Sequence, residues 1–212
     1  MFKAMKKNNE IEGIIFDLGG VVIESFEFGF YEDMGRKFGV SSKDVERAAN
    51  EKWTLLERGK ETNEELWHNV ARELKLDISA GETLASMWLE SYRRDALIKE
   101  DVLAIVKKLR DTYKLGVISN SQKEHSVINR ERGLFAHFDV VVLSDEVGMS
   151  KPQRGIFELA SERMGIPFQN LLFIDNDTRW VAVARKYGLR AVLFTSANQL
   201  KKSLKILKIS LI

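Results

Sequence analysis

The sequence contains no cysteine and only three histidines among its 212 residues. The lack of cysteine excludes disulfide bonds, thiol nucleophiles and thiolate metal sites. His68, His125 and His137 stand far apart along the chain, which disfavours a zinc site or a catalytic triad built from them. His125 is predicted to lie on the exposed face of a helix. No Gly-x-x-x-x-Gly-Lys-Ser/Thr segment occurs, so a phosphate-binding loop of that type is not expected.

Long apolar runs are also missing, since no segment approaches the roughly 20 residues of a membrane-spanning helix. The first nine residues are basic but lack the apolar segment of a secretion signal. The net charge is only +2, and the basic residues alternate with acidic ones. This distribution disfavours a nucleic-acid surface. We therefore expect a cytoplasmic protein without a membrane or nucleic-acid partner, and no feature specifies an oligomeric state.

A short apolar run near the start of the chain, within GIIFDLGG (residues 13–20), ends at a carboxylate and two glycines. An apolar run without alternation is typical of a strand buried on both faces of a parallel sheet. From about residue 95, predicted helices alternate with four further strands, at residues 115–118, 140–143, 171–174 and 191–194. This alternation favours an α/β fold with right-handed crossovers and a parallel sheet.

Residues 24–94 differ from the rest because they show helical spacing and almost no strand pattern. Apolar residues recur at every fourth position from Phe26 to Phe38, and Thr62 begins a capping-box pattern. Four short helices are predicted, and their aromatic residues are expected to form a core rather than a cofactor site. The chain is thus predicted to contain two domains: an α/β core domain of residues 1–23 and 95–212, and a helical domain of residues 24–94.

Polar residues follow three of the predicted strands: Asp17 after the first, Ser119 and Asn120 after the second, and Asp175, Asn176 and Asp177 after the fourth. Because the carboxyl ends of parallel strands meet at one edge of a sheet, these residues are expected to converge. Oxygen ligands without histidine or cysteine suit Mg²⁺ better than zinc. Lys151 offers a positive charge for a phosphoryl group or for clustered carboxylates. For each residue alone, a helix cap or a solvated charge is the alternative interpretation.

Together these segments resemble the four motifs of the haloacid dehalogenase-like (HAD) superfamily of hydrolases. In chain order they are FDLGGV (residues 16–21), VISN (117–120), KP (151–152) and FIDND (173–177). The helical region between the first two motifs resembles the cap domain of that family. The resemblance covers about residues 13–206 and implies a Rossmann-like three-layer core with a parallel five-stranded sheet, plus a small α-helical cap domain.

The resemblance also implies roles for the residues at the strand ends. Asp17 would be the nucleophile that forms an aspartyl-phosphate, and Lys151 would stabilise the developing charge. Ser119, Asn120 and Lys151 would bind the phosphoryl oxygens of a small phosphorylated substrate. The Mg²⁺ ligands would come from Asp17, the backbone carbonyl of Gly19, and the cluster Asp175, Asn176 and Asp177. The predicted function is therefore that of a Mg²⁺-dependent phosphatase.

Two positions depart from the family pattern. Phosphatases of the family usually carry a second aspartate, a general acid and base, where this chain has Gly19. General acid–base help is worth about 10²–10⁴ in rate, so proton delivery must come from elsewhere or be slow. In the fourth motif, Asp175 is followed by Asn176 where similar proteins have a second aspartate.

Two alternative functions remain open from the sequence. The first is a non-catalytic relative that keeps the fold and binds a phosphorylated ligand or a protein, and the absence of an acid at Gly19 favours it. The second is a metal-free 2-haloacid dehalogenase, which also uses an aspartate nucleophile and also lacks the second aspartate. The segment LGGV (residues 18–21) fits the first motif of that branch poorly.

Overall fold

A computed structural model of the protein describes residues 10–77 and 79–211. Within these residues, five strands form one sheet: β1 (Gly13–Phe16), β2 (Lys114–Ser119), β3 (Val140–Leu143), β4 (Leu171–Asp175) and β5 (Arg190–Leu193). Their order is β3-β2-β1-β4-β5, and every neighbouring pair is parallel. The predicted parallel five-stranded sheet is confirmed, with β1 at its centre.

In the described part of the chain, five helices lie between β1 and the first helix of the α/β alternation: α1 (Glu27–Phe38), α2 (Ser42–Asn50), α3 (Trp53–Leu56), α4 (Asn63–Glu73) and α5 (Ala80–Asp95). We call this segment, residues 27–95, the helical insert. The prediction of four helices omitted α3, which is a single turn. Thr62 caps α4 as predicted, because its side chain accepts a hydrogen bond from the backbone of Glu65 while the Glu65 carboxylate accepts one from the backbone of Thr62.

The remaining helices alternate with the strands. They are α6 (Glu100–Leu109), α7 (Lys123–Glu131), α8 (Ser144–Val147), α9 (Arg154–Met164), α10 (Thr178–Tyr187) and α11 (Ala197–Ile206). Gly165 ends α9 in the left-handed conformation at φ 65°, as predicted for a C-terminal cap. Among the described residues, no helix combines the length and the apolar character that crossing a membrane requires.

The sheet is covered by helices on both faces, which gives three layers. Successive side chains of a strand point to opposite faces, and the fully buried Ile14 and Ile15 belong to two separate apolar clusters. Ile14 packs in the cluster that contains residues of α6 and α11, whereas Ile15 packs in the cluster that contains residues of α9 and α10. The Rossmann-like three-layer α/β fold is therefore confirmed.

The cluster on the Ile14 face continues into the helical insert without a break. Within the insert, aromatic rings pack against one another: the ring centroid of Trp67 lies 4.9 Å from that of Phe30 and 5.4 Å from that of Trp88. The insert therefore has an aromatic core, as its sequence predicted, and this core joins the core of the α/β layers.

Candidate active site

The carboxyl edge of the sheet brings together residues that are far apart in sequence. β1 pairs with β2 on one side and with β4 on the other. Asp17 directly follows β1, and its backbone N–H donates to the carbonyl of Ile174 at 2.9 Å. Asp17 therefore stands between the end of β2, at Ser119, and the end of β4, at Asp175. This is the position at which parallel α/β sheets bind their ligands.

Lys151 joins the two carboxylates of this edge. Its Nζ lies 3.0 Å from Oδ1 of Asp17 and 2.7 Å from Oδ2 of Asp175. The three side chains are buried, with exposed fractions of 2% for Lys151, 11% for Asp17 and 0% for Asp175. Two carboxylates around one ammonium place an excess negative charge where water cannot screen it. We call these three residues the carboxylate–lysine cluster.

Burial and mutual charge interactions together set the pKa values of Asp17 and Lys151. Burial raises the pKa of Asp17 above its ordinary value; the ammonium of Lys151 opposes this rise and the carboxylate of Asp175 adds to it. For Lys151, burial disfavours the charged form, but the carboxylates of Asp17 and Asp175 outweigh burial, and its pKa is raised. Lys151 therefore stays protonated and holds Oδ1 of Asp17 in a defined orientation.

Asn120 anchors Lys151 to the end of β2. Its Oδ1 accepts the backbone N–H of Lys151 at 2.8 Å, and its Nδ2 donates to the backbone carbonyl of Lys151 at 3.2 Å. The same Nδ2 donates to Oε2 of Glu57 in the helical insert, at 3.1 Å. Ser119 is buried beside it and donates its hydroxyl to the carbonyl of Asn120 at 3.3 Å. The residues predicted to bind phosphate thus adjoin the carboxylate–lysine cluster, while their roles stay predictions.

The other two residues of the fourth motif make different contacts. Asp177 caps α10 and accepts hydrogen bonds from Arg179 at both carboxylate oxygens, one of them at 2.6 Å. Asn176 is exposed, and its side chain lies against Gly20, where a Cβ would come within 2.3 Å of the Asn176 Nδ2. Asp177 and Asn176 therefore do not contact Lys151 as Asp17 and Asp175 do, and their predicted part in metal binding stays a prediction.

The donor set at this edge fits Mg²⁺. Within the part of the chain that the structure describes, no group of three or more His, Cys, Asp or Glu side chains is placed to hold a metal. Mg²⁺ does not require such a group, because it keeps several waters and binds through one or two carboxylates and the substrate phosphate. Asp17 and Asp175 supply two carboxylates and carry more negative charge than Lys151 neutralises.

A cavity of about 330 Å³ separates this edge from the helical insert. Gly19, Ser119 and Asn120 line it from the sheet side. From the insert it is lined by aromatic and acidic side chains, which include those of Tyr31, Trp53, Glu57, Trp88 and Tyr92. A pocket of this size with an apolar wall and a polar floor is typical of sites for small ligands.

The predicted surface position of His125 is wrong. His125 is buried beside this cavity, and its ring stacks on that of Tyr92 with centroids 3.5 Å apart. Burial, and secondarily the positive charge of Arg132, holds the pKa of His125 well below its ordinary value, so the ring is neutral. The prediction failed because the helical insert covers the face of α7 that carries His125.

Glu57 is the residue at this site to which sequence reasoning assigned no role. It follows α3, is partly buried, and reaches Asn120 across 63 positions of the chain. The neighbouring Arg58 donates from Nε to Oγ of Ser150 at 3.1 Å, just before Lys151. The residues around Glu57 form no motif that would mark it as functional. The one indication that another acid is needed was Gly19, which stands where related phosphatases usually carry an aspartate.

Comparison with known proteins matches this arrangement to one family. Residues 11–188 match a family model described as haloacid dehalogenase-like hydrolase. The chain belongs to the haloacid dehalogenase-like hydrolase family. Membership in a family of hydrolases supports the assignment of this protein as an enzyme. It also agrees with the resemblance of the four segments at the carboxyl edge to the motifs of that family.

Individual relatives are distant. Phosphatase MT3486 of Mycobacterium tuberculosis (strain CDC 1551 / Oshkosh) is 27% identical over 212 residues, which cover 89% of this chain and 89% of that protein. Drimenol cyclase drtB of Aspergillus calidoustus is 24% identical over 92% of this chain, but this chain spans only 36% of its length. The HAD family enzyme BT-2542 of Bacteroides thetaiotaomicron has been solved in complex with magnesium and inorganic phosphate. It superposes on this chain with a TM-score of 0.69 at 21% sequence identity, and the match covers 87% of this chain and 94% of that one. This last likeness shows the shared fold.

Proposed function

We propose that this protein is a Mg²⁺-dependent phosphatase that hydrolyses a small phosphorylated metabolite through an aspartyl-phosphate on Asp17. The carboxylate–lysine cluster carries this proposal, because it places a buried aspartate, a lysine and a second carboxylate next to Gly19, Ser119 and Asn120, which line a ligand-sized cavity. Membership in a family of hydrolases and the likeness to a protein named as a phosphatase support it.

Asp17 would act as the nucleophile. Lys151 holds Oδ1 at 3.0 Å, which fixes the carboxylate while its charge favours the ionised form. When bound to Asp17, Asp175 and the carbonyl of Gly19, Mg²⁺ would supply the positive charge that lets a carboxylate and a phosphate dianion meet. Attack on phosphorus forms the bond from Asp17 to phosphorus as the bond to the leaving oxygen breaks. Water then attacks the same phosphorus, releases inorganic phosphate and restores the carboxylate.

Ser119, Asn120 and Lys151 would hold the phosphoryl oxygens. Lys151 is already oriented by its two carboxylate contacts, and Asn120 by its two hydrogen bonds to the backbone of Lys151. Such preorganised donors are worth about 2.7–4 kcal/mol each in the transition state. The helical insert, as the proposed cap domain, would cover the substrate and exclude water from the aspartyl-phosphate until the leaving group departs.

The proposal is tested by hydrolysis of 4-nitrophenyl phosphate with added Mg²⁺ and with EDTA, for the wild type and for Asp17→Asn. We expect Mg²⁺-dependent turnover that Asp17→Asn abolishes, since an amide oxygen does not form the acyl-phosphate. Asp44→Asn, at an exposed carboxylate of α2, serves as the matched control and should keep wild-type turnover. Normal turnover by pure Asp17→Asn would refute the mechanism. Phosphate binding without any turnover would favour a non-catalytic relative instead.

A further inference from the structure

We propose that Glu57, supplied by the helical insert, gives the proton to the leaving oxygen and thereby replaces the acid that is missing at Gly19. This inference rests on the proposed phosphatase function and adds the residue that completes it. The observation behind it is the contact between Oε2 of Glu57 and Nδ2 of Asn120, at 3.1 Å, which brings a carboxyl group from the insert to the phosphate-binding side of the cavity.

Residues 57–59 are held at this position by three separate contacts; we call them the docking segment. Glu57 contacts Asn120, and Arg58 donates to Oγ of Ser150 at 3.1 Å. Gly59 has a φ of +64°, and a Cβ placed on it would lie 2.6 Å from the backbone carbonyl of Asp145. The backbone of the docking segment therefore approaches the α/β core more closely than a residue with a side chain allows. Glu57 is thus held in place both by its own side-chain contact and by the close packing of the neighbouring backbone.

Glu57 and Gly19 line the same cavity, Glu57 from the helical insert and Gly19 from the loop after β1. A Cβ built on Gly19 would have no heavy atom within 4 Å, so the space that an aspartate side chain would enter is open. A substrate with its phosphoryl group on Asp17 would place its leaving oxygen in this open space. Glu57 is an acid of the insert that lines the same cavity and contacts Asn120 at its floor.

The surroundings of Glu57 favour its protonated form. Burial raises the pKa of Glu57, against the lowering effects of Lys151, the hydrogen bond from Asn120, and Arg58. A bound phosphate dianion adds negative charge on the Asn120 side, which raises this pKa further. A general acid must carry its proton when the substrate is bound, and these effects act in that direction.

Other ionisable groups of the cavity are less suited to this task. Glu24 is exposed and its carboxylate is paired with Lys99 at 3.2 Å. Glu27 and Glu46 also line the cavity, but both are exposed. His125 is held neutral by burial, as described above. Among these side chains, Glu57 alone combines partial burial with a hydrogen bond to a residue of the second motif.

The proposed step conserves protons. As Asp17 bonds to phosphorus, the bond from phosphorus to the leaving oxygen breaks, and the proton of Glu57 passes to that oxygen, so that a neutral alcohol departs. The Glu57 carboxylate then accepts a proton from the water that attacks the aspartyl-phosphate. Cleavage releases inorganic phosphate, and both Asp17 and Glu57 return to their starting states.

The test compares phenyl phosphate with 4-nitrophenyl phosphate, two esters of nearly the same shape whose leaving groups differ in their demand for a proton. Glu57→Gln keeps an acceptor for Asn120 but carries no transferable acid proton. We expect kcat/KM, which reports only the steps up to the departure of the alcohol, to fall by about 10²-fold or more for phenyl phosphate and by less than about tenfold for 4-nitrophenyl phosphate. Equal losses on the two esters would indicate a purely structural role and would overturn the proposal, as would no loss on either.

Two further variants complete the test. Glu61→Gln is the control, because Glu61 lies four positions further along the insert, does not line this cavity and accepts a hydrogen bond from Asn69. This variant should hydrolyse both esters at the wild-type rates. Adding Gly19→Asp to Glu57→Gln should restore phenyl phosphate turnover, because the open space at position 19 admits the family's usual acid.

The wild type alone provides a measurement that does not depend on the folding of a variant. Its kcat/KM for phenyl phosphate should fall as alkaline pH removes the Glu57 proton, while that for 4-nitrophenyl phosphate should not fall in the same range. Superimposable profiles, or a wild type that hydrolyses only the nitrophenyl ester, would overturn the role of Glu57 and leave the phosphatase function standing. Absence of turnover on both esters would instead reject the phosphatase function itself.

Discussion

Replacing Lys151 by methionine should destabilise the protein strongly and in a pH-dependent way. The side chain is 2% exposed, and its Nζ is the cation that contacts both Asp17, at 3.0 Å, and Asp175, at 2.7 Å. Methionine fills a similar volume but leaves the two buried carboxylates without this countercharge. Breaking a buried ion pair in this way costs about 3–5 kcal/mol. For a chain of this size, that loss corresponds to a fall in Tm of about 6–20 °C.

The sign of the pH dependence follows from Asp17. Lys151 lowers the pKa of Asp17 against the effect of burial, so its removal raises that pKa further above the value in the unfolded chain. In the folded variant Asp17 then keeps a proton that it loses in the unfolded chain. The free energy of unfolding therefore falls as the pH rises through the pKa of Asp17 in the folded state. Acidification from pH 8 to pH 6 should therefore recover part of the loss.

The assay is urea unfolding followed by tryptophan fluorescence, in EDTA, at pH 8 and pH 6. Arg93→Met is the control, because Arg93 and Glu131 form an exposed pair in which each side chain is 56% accessible. Such surface pairs contribute about 0–1 kcal/mol. If Lys151→Met loses no more stability than this control, or loses the same amount at both pH values, the buried-charge reasoning is wrong.

Two further predictions concern stability. Because burial lowers the pKa of His125, the folded protein binds fewer protons than the unfolded chain, and its free energy of unfolding should fall by up to about 1.4 kcal/mol per pH unit below about pH 6.5. His125→Phe, which keeps an aromatic ring against Tyr92, should flatten this pH dependence in urea unfolding at pH 7 and pH 5. An unchanged slope would contradict the neutral state of the buried His125. Thr62→Ala should lose about 1 kcal/mol through the capping box with Glu65, whereas Thr62→Ser should keep most of it; equal losses for the two variants would show that the cap contributes little.

Much of the α/β fold was predictable because its signals are local. Each buried parallel strand is a short apolar run, and each helix follows with an apolar face, so the alternation is readable from neighbouring residues. The convergence of Asp17 and Asp175 follows from topology, since successive parallel strands end at one edge. Their contact with Lys151 was anticipated as an interaction of a lysine with clustered carboxylates, and the structure brings the three side chains together at that edge.

Three features of the site were not anticipated from the sequence. His125 was expected on a surface, yet the insert packs over α7 and buries it. Asp177 was grouped with its neighbours, but Arg179 engages its carboxylate at the start of α10. Glu57 carried no motif. For His125 and Glu57 the outcome depends on how one segment docks on another, which a run of neighbouring residues does not encode. The contact of Asp177 is local and matches the helix cap that was its alternative interpretation.

The sequence by itself therefore determined the layer order of the fold, the sheet edge at which the candidate site lies, and the absence of an acid side chain at Gly19. These properties depend on periodicity, strand ends and residue identity. Only the tertiary structure decided which acid of the insert meets Asn120, because that contact joins Glu57 to a residue 63 positions away through the docking segment. The physical reason is that the direction of a one-turn helix is set by packing against distant residues rather than by its own weak propensity.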